Sequence, residues 1–362
     1  MKHSIEPNRH IVFLDGLRGL AIILVLGYHF FKIFPFGWMG VDLFFVLSGF
    51  LITSKLVAGD TSFKKLLLFW LKRILRIVPL YYLLLFITFI VVPLLVPSVN
   101  DSLIFKNLLH TQVYYWTFSI NWVDAFNGWP QHYMFIHIWS LCVEMQFYFI
   151  FPLLLLACTR PRYLFNKIIV LALIIAVVLF RMYGSSFFAF NPIYRYVLLF
   201  SRFDGLLLGG FIYYAWSNNK LPKIAPIIIA LAIGSLATIV GWVMITGNAW
   251  TSELGFVSQY GYTLNSLLFS GLLCWLLMQP ASIIAKVFSN KWLVSMGTYS
   301  FCIYLIHVPL YIVIDKLYMH YHPPIAFVLY LVLYVCAAYA LGWISYNTIE
   351  KWASKIKVKF NR

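Results

Sequence analysis

Charge is what this chain has least of. Asp, Glu, Lys and Arg make up 10% of its 362 residues, against roughly 25% in a soluble globular domain. Hydrophobic residues make up 62%. That balance excludes a soluble enzyme, a disordered chain and a fibrous protein, and leaves a polytopic membrane protein with little mass outside the bilayer. Cysteine is scarce as well. Cys142, Cys158, Cys274, Cys302 and Cys336 all fall in apolar runs without paired spacing. This argues against a disulfide framework or a zinc centre and makes them apolar filler. The chain has no Gly-rich phosphate loop, no zinc motif, no Gly-x-Ser-x-Gly elbow, no internal repeat and no transporter-like pair of broken helices. Its first apolar run lacks a small-residue cleavage site and is interrupted by polar residues, so it reads as a span and not as a signal peptide.

What the sequence does have is aromatics, at 19%, and an excess of 27 Lys and Arg over 11 Asp and Glu. Runs of about 20 apolar residues, the length that crosses hydrocarbon, predict ten spans. They lie near 12–31, 39–57, 77–98, 134–157, 166–182, 196–216, 224–245, 260–279, 299–316 and 325–347. With a cytoplasmic N-terminus, 20 of the 27 Lys and Arg fall in inside segments, five fall outside, and Arg18 and Arg202 lie within spans. That asymmetry predicts an all-α fold with both termini cytoplasmic. Most of the positive excess is therefore topology, and nucleic acid is not an expected partner.

Ionisable groups inside spans are expensive unless paired or hydrated, and are functional candidates by default. They are Asp15, Arg18, His29, Asp42, His137, Glu144, Arg202, Asp204 and His307. Arg18 and His29 are eleven helical steps apart. At ~100° per residue they share one face, ~16 Å apart along the axis. A cation at one end of a groove and an imidazole at the other suit a long anionic molecule with a reactive tip. The plainer alternative is an interfacial anchor and a core histidine, with Asp15 neutralising Arg18 from one turn away. Arg73 and Arg76, at i and i+3, can converge on phosphate oxygens, or simply mark the inside of the membrane. Glu144 falls mid-span. It is either an orienting acid or base near a His, or half of an ion pair with Arg18 or Arg202. Arg202-Phe203-Asp204-Gly205 predicts a local ion pair beside a close-packing Gly. Asp42 opens the second span, and His307 lines a cavity or caps a kink at Pro309. In the long loop of about 99–133, Trp116, Trp122 and Trp129 either stack on sugar rings or form an interfacial belt.

Taken together, these residues resemble the membrane-bound acyltransferase-3 family. The similarity runs through Leu14-Asp15-Gly16-Leu17-Arg18-Gly19 with His29, Gly40-Val41-Asp42 with Phe44 to Phe50, and Arg73-x-x-Arg76 ending in Pro79 and Tyr81. It continues through Trp139-Ser140-Leu141 with Glu144 and Phe147-Tyr148, Arg202 to Gly205, Gly297 to Phe301 with His307, and Ile349-Glu350-Lys351.

The resemblance implies one transmembrane acyltransferase-like domain over 1–350 and a short basic tail over 351–362, in the form without a fused periplasmic hydrolase-like domain. It implies a multi-pass protein of the bacterial cytoplasmic membrane. Such a protein moves an acyl group, acetyl by default, from cytoplasmic acetyl-CoA or another acyl-CoA to a hydroxyl of an envelope glycan or lipid-linked sugar. O-antigen and exopolysaccharide are candidate acceptors. No metal is required, membrane lipid surrounds the chain, and a partner protein for acyl hand-over stays open. The family's Arg-x10-His pair matches Arg18 and His29, its Arg-x-x-Arg pair matches Arg73 and Arg76, and its buried Glu matches Glu144. The expected mechanism places CoA phosphates at Arg73, Arg76 and Arg18, and the thioester at His29 as general base or transient acyl carrier. Glu144 would orient His29. Asp42, the three Trp and His307 are candidate substrate contacts. The competing reading is a carrier or flippase for a lipid-linked sugar, which intramembrane His, Glu and Arg also suit.

Overall fold

The computed structural model describes residues 10–30, 33–57, 63–130, 133–157, 161–253, 255–321 and 327–353. Of the charges counted above, Lys2, Arg9, Lys32, Arg160, Lys355, Lys357, Lys359 and Arg362 lie outside the described residues, as does Cys158. A backbone in hydrocarbon has to satisfy its own hydrogen bonds, and long apolar runs do so as helices. Ten long helices follow one another: α1 Val12–His29, α2 Gly40–Leu56, α3 Phe63–Phe86, α4 Ile138–Ala157 and α5 Lys167–Phe187. After them come α6 Leu199–Ser217, α7 Leu221–Thr246, α8 Tyr262–Met278, α9 Ser300–Tyr321 and α10 Phe327–Ser345. No strand occurs among the described residues. By length and composition, nine segments among the described residues can each cross a membrane. A tenth forms if the helix Lys291–Thr298 and Ser300–Lys316, bent by 72°, count as one broken span.

Three boundaries differ from the sequence expectation. The third span does not start at 77: one helical segment runs over Phe63–Leu95, so Arg73 and Arg76 are part of the spanning helix and not of a preceding loop. The fifth runs on to Phe187 and takes Arg181, expected outside, into its interior. The last continues through Val328–Ala353, so Lys351 belongs to a helix and not to a tail.

The segment carrying α6 is 83% buried and that carrying α2 is 72%, whereas α5 and α7 are each 22%. The centre of the bundle is therefore α2 and α6, with α1 beside them. Glycine permits this. A Cβ on Gly49 would lie 1.9 Å from the Leu206 carbonyl oxygen, and one on Gly209 1.9 Å from that of Val46. Backbones approach this closely only where the facing residues are small.

Two dry ion pairs fasten the centre. Arg202 of α6 binds the Asp42 carboxylate of α2, whose other oxygen accepts from Asn265 of α8 at 2.9 Å. Arg181 of α5 binds Asp204 of α6 at 3.1 Å, and Thr263 of α8 donates to the same carboxylate oxygen at 2.6 Å. Arg202 and Asp204 thus each pair with another helix and not with each other, because residues two apart on a helix do not face one another. The Tyr262 ring lies 4.0 Å from the Arg202 guanidinium carbon. This gives the cation a second, aromatic counterpart.

Removing one partner of a buried pair leaves an uncompensated charge, at about 3–5 kcal/mol. Asp42→Ala should accordingly lower the midpoint of thermal unfolding in detergent, and Asp42→Ala with Arg202→Met should recover part of the loss. An unchanged midpoint in the single variant would show that the pair does not hold the bundle together.

Candidate active site

Three cavities follow one another along α1. The first, about 1160 Å³ counted out to its mouth, is lined by Asp15, Arg18, Lys72, Arg76, Glu350 and Lys351 among others. The second, about 790 Å³ counted out to its mouth but narrow, shares Arg18 and Arg76 with the first and adds Arg73, Glu144, Tyr148 and apolar walls from α2. The third, about 860 Å³, shares Val41 and Tyr304 with the second as lining and holds His29, Tyr133, His137, Trp129 and Glu253. Arg18 and His29 therefore stand at opposite ends of one series of spaces, as their shared helical face requires.

The cations at the first end are held loosely. Arg18 donates to the Ser300 hydroxyl at 3.3 Å. The Arg73 guanidinium lies over the rings of Tyr148, at 5.1 Å, and Phe69, at 5.5 Å. Arg76 makes no hydrogen bond or ion pair to another described residue. Asp15 does not pair with Arg18: it accepts from His10 at 2.8 Å. Three guanidinium groups facing two joined cavities without salt-bridge partners leave their donors available to an anionic ligand.

Glu144 occupies the middle cavity. Its carboxylate accepts from the Ser48 hydroxyl at 2.7 Å and from the Tyr148 hydroxyl one helical turn on. It forms no ion pair with Arg18 or Arg202 and does not touch His29. The expectation that Glu144 orients the imidazole is corrected: the two side chains line different cavities. Glu144 is placed to face whatever fills the space between the cations and His29.

His29 has other neighbours. Its Nδ1 is 2.8 Å from the Tyr133 hydroxyl. Burial raises the Tyr133 phenol above its ordinary pKa, so this partner stays protonated and neutral. The His307 ring lies 4.9 Å from His29, centroid to centroid, and the His137 ring 4.6 Å from His307. His307 Nδ1 donates to the Tyr304 carbonyl and His137 Nε2 to the Leu305 carbonyl. These bonds fix both tautomers, since a carbonyl only accepts. They leave His307 Nε2 and His137 Nδ1 without a partner among the described residues. No group of three or more His, Cys, Asp or Glu among the described residues can hold a metal.

The expected substrate contacts divide. Trp129 lines the His29 cavity. Trp116 and Trp122 line none of the three. Trp116 packs on Tyr82 and Phe89, and Trp122 on Phe200, as ordinary aromatic packing. Asp42 is consumed by Arg202 and Asn265 and leaves the set of substrate contacts. His307 is fully buried behind His29 and touches the imidazole instead of the space in front of it. Sequence reasoning did not single out Tyr133, Tyr304, Lys72 or Glu253 as site residues. Lys72 was visible only as added positive charge beside Arg73, and nothing in the local pattern of the other three marks them, because each reaches its cavity through tertiary packing. His137 was visible as an intramembrane histidine but had no role to suggest itself.

A family model described as an acyltransferase domain matches residues 11–347, which takes in the second and third cavities and most of the first. The chain belongs to this acyltransferase family. Among its relatives, the peptidoglycan O-acetyltransferase OatA of Listeria monocytogenes is 31% identical over 86% of this chain and 51% of its own length. A putative O-acetyltransferase of Staphylococcus aureus strain COL is 30% identical over 83% of this chain and 51% of its own. The O-acetyltransferase OatA of Staphylococcus aureus strain NCTC 8325 is 29% identical over 94% and 57%. The chain thus spans about half the length of the curated relatives it matches. No solved structure matches it.

If the cavities of this family member are open to water, a cysteine placed in one should be reachable. In a background with the native cysteines replaced, Ser48→Cys should react with a small water-soluble thiol reagent in intact membranes. Ser270→Cys, fully buried on α8, should not. Equal reactivity at the two positions would contradict the middle cavity.

Proposed function

We propose that this chain transfers a short acyl group, acetyl first, from an acyl-CoA to a hydroxyl of a cell-envelope glycan. One observation carries the reading: three neighbouring cavities along α1 run from guanidinium groups without salt-bridge partners at one end to His29 at the other. Kinship with O-acetyltransferases supports it, and favours an enzyme over a carrier. The distribution of Lys and Arg supports an orientation with the Arg18 end in the cytoplasm of a bacterial cell.

In this reading the donor phosphates sit at the first mouth, against Arg18, Arg76 and Lys72, with Arg73 just inside. The pantetheine arm lies in the middle cavity, whose walls are apolar apart from Glu144, Ser48 and Tyr148. These groups can hydrogen-bond the amides of the arm. The thioester reaches the third cavity. With His29 Nδ1–H donating to the Tyr133 oxygen, Nε2 keeps its lone pair and serves as base. The acceptor oxygen forms a bond to the thioester carbonyl carbon as Nε2 takes its proton. The C–S bond then breaks, and the leaving thiolate takes that proton to become free thiol. Atoms balance with no metal and no second cofactor. The acceptor enters from the opposite mouth, where the Trp129 face suits a sugar ring and the Glu253 carboxylate suits its hydroxyl groups. Peptidoglycan is what one relative's name gives as its acceptor, and it leads the candidates here.

His29→Ala should lower acceptor acylation by about 10²–10⁴-fold, the usual worth of a general base, while the protein still inserts and folds. Arg73→Ala with Arg76→Ala should raise the KM for the acyl-CoA. Trp129→Ala should raise the KM for the acceptor, and Trp116→Ala should leave it alone. Mass spectrometry of envelope glycans from cells with and without the chain reads the product as a gain of one acetyl unit. Full activity of the His29→Ala protein would end the proposal, and an unchanged donor KM would return Arg73 and Arg76 to topology.

A further inference from the structure

We infer that Val41 and Tyr304 form an acyl-size filter between the donor and acceptor cavities, and that the filter restricts the donor to the smallest acyl groups. This rests on the donor reading above and goes beyond it by naming what selects the acyl chain. The cations line the first two cavities and His29 lines only the third. An acyl group carried on a phosphate-anchored arm therefore has to pass the place where the second and third cavities meet. The two side chains common to both are Val41 of α2 and Tyr304 of α9.

Both are rigidly held. Val41 is β-branched, with one favoured helical rotamer, and is 7% exposed. The Tyr304 hydroxyl donates to the His137 carbonyl at 3.0 Å and shares a hydrogen bond with Ser140. Its ring is bounded by Phe44, His137 and His307, with centroids 6.2, 5.5 and 5.3 Å away. A wall built this way does not yield to an extra methylene as a flexible loop would. In a tight apolar site one methylene changes use of a substrate by roughly 10–200-fold. Tyr304 is also tied to the histidines behind His29: its backbone carbonyl holds His307. The filter and the imidazole are thus positioned by the same turn of α9.

The test uses the full chain in membrane vesicles with a glycan fragment as acceptor, and acetyl-, propionyl- and butyryl-CoA as donors. Release of free thiol gives kcat/KM for each. The unsubstituted chain should prefer acetyl to butyryl by about 100-fold or more, at 10-fold or more per methylene. Val41→Ala should narrow that ratio by at least about 10-fold, since it removes two methyl groups from the wall. Val41→Phe should widen it, with propionyl lost first. Tyr304→Phe keeps the ring but releases the hydroxyl anchor, and should narrow the ratio less than Val41→Ala does. The ratio is read within each variant, so a loss of folded protein does not imitate the effect. If the unsubstituted chain uses acetyl and butyryl donors equally, or if neither Val41→Ala nor Tyr304→Phe moves the ratio, the filter is overturned while the donor reading stands. If the unsubstituted chain releases thiol from none of the three, the donor reading falls and the filter falls with it.

Discussion

A charge in a low-dielectric slab needs a partner or a path to water, and this chain uses both solutions in different places. Arg202 with Asp42, and Arg181 with Asp204, are dry pairs that bind α2, α5, α6 and α8 into one unit. Arg18, Arg73, Arg76 and Glu144 take the other course and line cavities. The division is informative because the two groups have the same chemistry. An Arg locked to Asp beneath aromatic rings lines none of the three cavities and is out of a ligand's reach. An Arg stacked on one side and open on the other is within that reach. The dry pairs hold the helices in position, and the open cations have a use only because that position is kept.

The close approach of α1 to its neighbours serves the same purpose. A Cβ on Gly19 would lie 2.1 Å from the Leu293 carbonyl oxygen, and one on Gly297 1.7 Å from that of Asp15. With the backbone of α1 pressed against the helix Lys291–Thr298, Arg18 and His29 have little freedom to move relative to one another. Their separation is then a property of the helix, ~16 Å by its rise, and acts as a fixed ruler for an extended ligand. Reacting groups that are positioned in advance contribute to rate without new contacts. A single straight helix is an economical way to hold two groups that far apart.

Much of this was legible in the sequence. Among the described residues the ten apolar runs appear as nine spanning segments and one bent pair, and Arg18, His29, Arg73, Arg76 and Glu144 all line the three cavities. What the sequence misassigned has a common cause. Asp42 was read from its place at a helix start, Arg202 with Asp204 from their closeness in sequence and Arg181 as an outside charge, yet each found its partner on another helix, and spacing along one helix does not reveal that. The Trp residues were read by type. Of the three loop Trp only Trp129 faces the site, because rings in a folded loop pack on one another unless the backbone turns them outward. Glu144 was assigned to His29 because a carboxylate near an imidazole is a familiar arrangement. The fold instead satisfies it locally, through Ser48 and Tyr148.

Placing Glu144 away from His29 changes how the imidazole has to work. A carboxylate against Nδ1 would stabilise the charged ring, and here the position is held by the neutral Tyr133 hydroxyl. Among the described residues, His307 and His137 stand behind His29 with their remaining lone pairs unpartnered, so the groups touching the ring offer acceptors but no fixed negative charge, and Glu253, on the wall of the same cavity, forms no ion pair with it. A base in such a setting gains little from holding its proton. The route through the thioester returns that proton at once to the leaving sulfur, which suits an imidazole that is not stabilised as a cation. It suits less well a mechanism in which a charged His29 persists. The distance between Glu144 and His29 therefore fits the proposed chemistry better than the adjacency expected from the sequence.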